Sequence, residues 1–235
     1  MNKIKPIKTV WEVNAAFLNI WRLDMPAICI EFTKEDLYRP SEMAALIRAT
    51  ELNFGKTLIL SNLPQNSLRL GWAAFPFNDK EYIFSTENIG SVRWTNAIPQ
   101  NISNLLVEIC LSLKIRVQNI QGIDTLEYRL TTHICEKEPS FCLFLQQGDG
   151  IRLIFAEDNL PTDTYFFSND QAFRDLELQR IWEIAAPTSK KAFIVENNVG
   201  LSWLHDFLEQ RSVNIETQNF KQAVIEKLLV RKSKN

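Results

Sequence analysis

The sequence predicts an α/β protein of two matching halves. Each runs β-β-β-α-β-α-β-α, and the first carries a small antiparallel β insertion. Three observations carry this prediction. Short β-branched and aromatic runs alternate with amphipathic stretches along the whole chain. No low-complexity linker interrupts its 235 residues. The order of elements after residue 137 repeats the order before it, although no residue-level repeat is visible. The packing logic is a three-stranded meander extended by right-handed β-α-β crossovers, with helices on both faces. The halves divide at 1–136 and 137–235, with the insertion at about 64–98.

In the first half, strands are expected near 8–13, 16–23 and 27–33, where TVWEV and AICIEFT supply β-branched and aromatic residues. Pro40-Ser41-Glu42 reads as a helix start with Ser41 as its cap; Met43, Leu46 and Ile47 form the apolar face. Gly55 closes that segment, and TLILSNL at 57–63 follows as a buried strand. The runs SLRLGWAAF, EYIFST and SVRWTNAI make up the insertion. The clearest helix follows: Ile102, Leu105, Leu106, Ile109, Cys110 and Leu113 keep an i, i+3, i+4, i+7, i+8, i+11 rhythm. A strand at 115–120 and a helix at 123–134 complete the half.

The second half opens with three short strands, FCLFLQ (141–146), IRLIFAE (151–157) and DTYFFS (163–168). Asn169-Asp170 can cap a helix on which Leu178, Ile181, Trp182 and Ala185 share a face. Strand KAFIVEN (191–197), a helix at 201–211, a strand at 213–217 and a helix at 219–231 end the chain.

Composition narrows the function. No run approaches the roughly 18 apolar residues of a membrane span. The start MNKIKPIKTV is basic but lacks a secretory apolar core, so the chain reads as cytoplasmic. A net charge of −2 gives no general electrostatic reason to bind nucleic acid. Lys3, Lys5 and Lys8, and Arg231, Lys232 and Lys234, read as solvated ends. The four cysteines have no zinc-like spacing and read as buried reduced thiols; two histidines cannot supply a histidine-rich metal site. Seven glycines are about half of what a usual ~7% would supply. Phosphate-binding loops need glycines, because backbone amides must approach the ligand closely.

The duplicated order resembles the actin-like ATPase superfamily, whose halves are each built on a ribonuclease-H-like core. Within it, length and spacing are most similar to the cytoplasmic PilM and GspL types of type IV pilus and type II secretion assembly. The family's first phosphate loop is an acid-x-Gly turn between the first two strands. Here Glu12 stands for the acid, Asn14 replaces the glycine, and Ala16 and Phe17 offer a phosphate neither hydroxyl nor cation. The second loop falls in FLQQGDGIRLIF (144–155). Gly148-Asp149-Gly150 is either a displaced metal-organising acid or the tip of a tight hairpin, which needs glycines for positive φ. In place of the adenosine-binding Gly-Gly pair stands Asn197-Asn198-Val199-Gly200. Glu12, Asn14, Gly148, Asp149, Gly150, Asn197 and Gly200 are therefore the nucleotide-contacting set if binding survives; three departures from three motifs read as a decayed pocket.

The resemblance then implies a non-catalytic assembly platform with no cofactor, at the inner face of the membrane through a complex. Its partner would be the cytoplasmic tail of a bitopic membrane protein or a motor ATPase, not nucleic acid. Trp72, Phe75, Phe77, Tyr82, Phe84 and Trp94 make the insertion unusually aromatic. They form either its own small core or an anchor for a partner peptide, which could also add as an edge strand. The alternative is a divergent Mg-ATP-binding ATPase or phosphotransferase in which Glu12 or Asp149 organises Mg²⁺. A nuclease built on Glu12 and Glu31 is a weaker variant.

Overall fold

The computed structural model describes residues 7–14, 17–22, 24–33, 36, 38–52, 54–63, 67–71, 80–134, 140–148, 150–195 and 201–218. The first half opens with a meander of β1 (Thr9–Val13), β2 (Phe17–Arg22) and β3 (Met25–Glu31). Helix α1 (Pro40–Arg48) leads to β4 (Lys56–Ser61), then to the insertion strands β5 (Ser67–Leu70), β6 (Tyr82–Ile89) and β7 (Val92–Pro99). Helix α2 (Gln100–Ser112), β8 (Arg116–Gly122) and α3 (Asp124–Ile134) follow. The second half runs β9 (Phe141–Gln147), β10 (Gly150–Glu157), β11 (Leu160–Ser168), α4 (Arg174–Ala185), β12 (Lys191–Val195), α5 (Ser202–Glu209) and β13 (Asn214–Gln218).

The two large sheets have the same plan. The first is ordered β3-β2-β1-β4-β8 and the second β11-β10-β9-β12-β13. In each, the meander is antiparallel and the last two strands join parallel to its first strand. This is the duplication expected from the order of elements, now expressed as identical topology. The central strands are buried on both faces, which is why β1 and β4 carry near-continuous apolar runs. Helices α1 and α2 cover one face of the first sheet, burying Met43, Ile47, Ile102, Leu106 and Ile109 against Trp11, Val13 and Ile59. Helices α4 and α5 do the same for the second, around Phe144, Leu153, Leu178, Leu204 and Leu208.

The insertion is a three-stranded antiparallel sheet ordered β5-β7-β6. Its described apolar residues pack outside the insertion. Trp94 on β7 and Leu68 on β5 join α3 and the second sheet in one cluster with Tyr128, Phe141, Leu143 and Phe193. Its rings step across the molecule: Trp94 to Tyr128 at 5.1 Å, Tyr128 to Phe141 at 5.9 Å, Phe141 to Phe193 at 5.7 Å. Tyr128 also donates its hydroxyl to the Asn159 carbonyl at the β10–β11 turn (3.1 Å). The insertion and α3 thus brace the second half.

Several local expectations shift. Ser41 is not the cap of α1: Arg39 holds that position, without a side-chain cap bond, and Pro40 occupies the first turn. Asp170 accepts from the Ala172 N–H (2.9 Å) in a turn that precedes α4, and Phe173 is the N-cap. Cys29 is exposed on the edge strand β3, whereas Cys110 and Cys142 are buried thiols as expected. Cys135 and the helix at 219–231 lie outside the described residues.

Candidate functional site

In open α/β sheets, ligands bind beyond the carboxyl ends of the parallel strands, where the strand order switches direction. Here that place is defined by the register Val13, Ser61 and Gly122 across β1, β4 and β8. Glu12, one residue short of the end of β1, is fully buried. Its carboxylate accepts from Asn19 Nδ2 on the paired strand β2 (3.1 Å) and from Asn62 Nδ2 just past β4 (3.2 Å). Asn62 is placed there because its backbone N–H donates to the Val13 carbonyl (2.8 Å). Asn14 is buried, and its N–H donates to the Phe17 carbonyl (2.9 Å), closing β1 and β2 as a tight hairpin. Glu31 sits exposed on the edge strand, so the structure does not build a carboxylate pair from it and Glu12.

The second half presents its own hairpin to the same region. Gln147 pairs with Gly150, leaving a two-residue connection between β9 and β10. Gly148 has φ +61°, the left-handed conformation that such a connection requires. Asp149 lies outside the described residues, as do Asn197 and Gly200. At Gly150 an added Cβ would meet the edge of the half-exposed Phe166 ring, which would have to shift.

A polar triad joins the start of α3 in the first half to the β9–β10 hairpin of the second. Asp124, the first residue of α3, and Gln147, the last of β9, are fully buried, and Arg152 is 3% exposed. Gln147 Nε2 donates to Asp124 Oδ1. Arg152 Nε donates to Gln147 Oε1 (3.1 Å) and lies 3.5 Å from Asp124 Oδ2. Strand alternation explains the direction of Arg152. Ile151, Leu153 and Phe155 pack with α4 and α5, so Arg152, like Ile154 and Ala156, faces the first half. The Phe166 ring covers its guanidinium, with the centroid 5.3 Å away.

Burial pushes the Asp124 carboxyl above its ordinary range, against the pull of the Arg152 charge and the Gln147 amide. Burial likewise lowers Arg152. Within the first half, Asn96 Nδ2 on β7 donates to Thr125 Oγ1 (2.8 Å), and the Asn96 amide lies close over Gly122. Among the described residues no group of three or more His, Cys, Asp or Glu could hold a metal ion.

The aromatic candidates divide as well. Trp94 is fully buried, which removes it from any contact surface. Tyr82 and Phe84 are half-buried on β6, and Trp72, Phe75 and Phe77 lie outside the described residues. Sequence reasoning missed Asp124, Gln147, Arg152 and Asn62. One signal was available: an arginine at an inward position of the otherwise apolar strand GIRLIFAE.

Two five-stranded mixed sheets of identical strand order are the plan of the actin-like ATPase fold. Comparison with solved structures places the chain in that fold. No family model matches the sequence, and no curated protein matches it in sequence. The PilM–PilN type IV pilus biogenesis complex matches with TM-score 0.70 at 11% identity, covering 98% of this chain and 100% of that one. A Bacteroides thetaiotaomicron protein with actin-like ATPase fold and unknown function matches with TM-score 0.67 at 10% identity, over 95% and 97%. The cytoplasmic domain of EpsL, an inner membrane component of the type II secretion system of Vibrio cholerae, matches with TM-score 0.54 at 8% identity, over 96% and 93%. Among the described residues no helix is long and apolar enough to cross a membrane.

Proposed function

We propose that the protein is a non-catalytic scaffold of a type IV pilus-like or type II secretion-like assembly, binding a protein partner rather than turning over nucleotide. The single observation that carries this reading is the bonding of the site carboxylates. Glu12 is held by two side-chain amides, and Asp124 by Gln147 and Arg152. A phosphate site needs free backbone amides and cations, and its metal needs exposed carboxylates or their waters. Here the guanidinium of Arg152 is already paired with a carboxylate of the other half, and burial leaves it closed to a phosphate. This donor set does not suit Mg-ATP.

The partner class follows from the fold likeness. One similar structure is a complex of PilM with PilN, and another belongs to an inner membrane component of a secretion system. The expected partner is the cytoplasmic tail of a bitopic inner-membrane protein, which would hold this chain at the membrane face. The test has two arms. Fluorescence anisotropy with tail peptides of bitopic proteins encoded beside this chain should give saturable binding, and Mg-dependent phosphate release from ATP should not exceed buffer. Phosphate release abolished by Glu12→Gln would overturn the reading in favour of an ATPase.

A further inference from the structure

We infer that the outer face of α4 is the contact for a second copy of this chain, in an antiparallel two-fold pair. The 12-residue helix is apolar on two sides. Leu178, Ile181, Trp182 and Ala185 face the core of the second half. Opposite them, Phe173, Leu176 and Ile184 are 59%, 71% and 62% exposed. At 100° per residue, Phe173, Arg180 and Ile184 fall in one line along the solvent side, with Leu176 beside it. A surface helix ordinarily keeps that side polar. Three large apolar side chains are gathered on that side of one helix, around Arg180, unlike the scattered single residues that need no explanation.

The charges beside the stripe identify the occupant. Arg180 is exposed and makes no ion pair among the described residues. Glu177 is also exposed; its carboxylate meets only the Ser168 N–H, at 3.3 Å. A two-fold axis midway between positions 178 and 179 sets Phe173 opposite Ile184 of the second copy. The same axis sets Arg180 opposite Glu177 of that copy. Apolar meets apolar and cation meets anion in one register, the self-complementarity that a two-fold interface demands. A lipid surface would favour cations along both flanks, whereas Glu177 and Glu183 flank this stripe.

The size of the stripe sets the strength. It offers on the order of 400 Å² per copy, about half of the ~800 Å² typical of a stable partner face. The pair is therefore a weak, concentration-dependent dimer, suited to forming when the chain is gathered at high local concentration.

The experiment is sedimentation velocity on the full chain over a concentration series reaching about 200 µM. Wild type should move from monomer toward dimer with a micromolar dissociation constant. Leu176→Asp should raise that constant at least about tenfold with an unchanged melting temperature. Arg180→Glu alone and Glu177→Arg alone should each remain monomeric, because like charges then face each other. Mixing the two variants should restore the dimer, since each supplies the charge that the other lacks. The inference is overturned if wild type stays monomeric throughout, if its dimer survives Leu176→Asp, or if the mixed variants do not pair. It is equally overturned if wild type stays monomeric while anionic vesicles bind it through Leu176.

Discussion

Arg152 on β10 lies 3.5 Å from the Asp124 carboxylate on α3, so one buried ion pair joins the two halves of the chain. Removing one partner of such a pair strands the other charge, at a cost of about 3–5 kcal/mol, whereas removing both charges costs much less. Arg152→Met is expected to lose that amount in urea unfolding. The double variant Asp124→Asn, Arg152→Met should recover a large part of it. Additive losses would show that the two residues act independently.

Glu12 gives a second prediction from the same logic. Glu12→Ala leaves the buried Asn62 amide and the half-buried Asn19 amide without this acceptor. The expected loss is about 1–3 kcal/mol in urea unfolding, and Glu12→Gln, which keeps a carbonyl acceptor, should lose less. A carboxylate poised for a metal would behave oppositely, with both variants neutral or stabilising in the absence of metal.

Trp94 is the clearest case of a residue whose meaning depends on burial. As an exposed anchor it would be dispensable for stability. Packed against Tyr128 between the insertion and the second sheet, its replacement by alanine is expected to cost about 3–5 kcal/mol. Hydrogen exchange of β9 and β12 should then accelerate together with that of β7, because one cluster spans all three.

The thiols predict a pH dependence. Burial pushes Cys110 and Cys142 up to about 12 from an ordinary 9.0. A thiol with a raised folded-state value adds stability that is fully present below 9.0 and is lost as pH rises toward about 12. Thermal unfolding should therefore show a falling melting temperature across that window, shallower in Cys110→Ala. At pH 8, iodoacetamide should modify exposed Cys29 slowly, because partial burial and the nearby Glu31 and Glu12 charges raise its thiol, and should reach Cys110 and Cys142 only after unfolding.

The fold was legible because its signals are local and repeated. The rhythm from Ile102 to Leu113 marks α2, and the strand runs of both halves fall within a few residues of their observed bounds. Identical strand order in the two sheets then follows from crossover rules rather than from any motif. The site was less legible because it is assembled from distant positions. Asp124 looks like an ordinary helix-start acid, Gln147 like a strand end, and Asn62 like a loop residue, yet each is buried against a partner 23 or 50 residues away. Trp94 in the insertion was hard to place for a related reason. Periodicity shows that Trp94 has an apolar side, but not that the second half supplies the surface covering it.

The central claim is that the Glu12 and Asp124 carboxylates are committed to bonds within the chain and are not available to Mg-ATP. The most direct test is the melting temperature of the full chain titrated with Mg-ATP. A specific ligand at a hundredfold its dissociation constant adds about 2.7 kcal/mol, a clear upward shift. The account predicts a flat titration with adenine and guanine nucleotides alike. A saturable rise that disappears in Glu12→Ala or Asp149→Ala would contradict it and make the protein a working nucleotide binder.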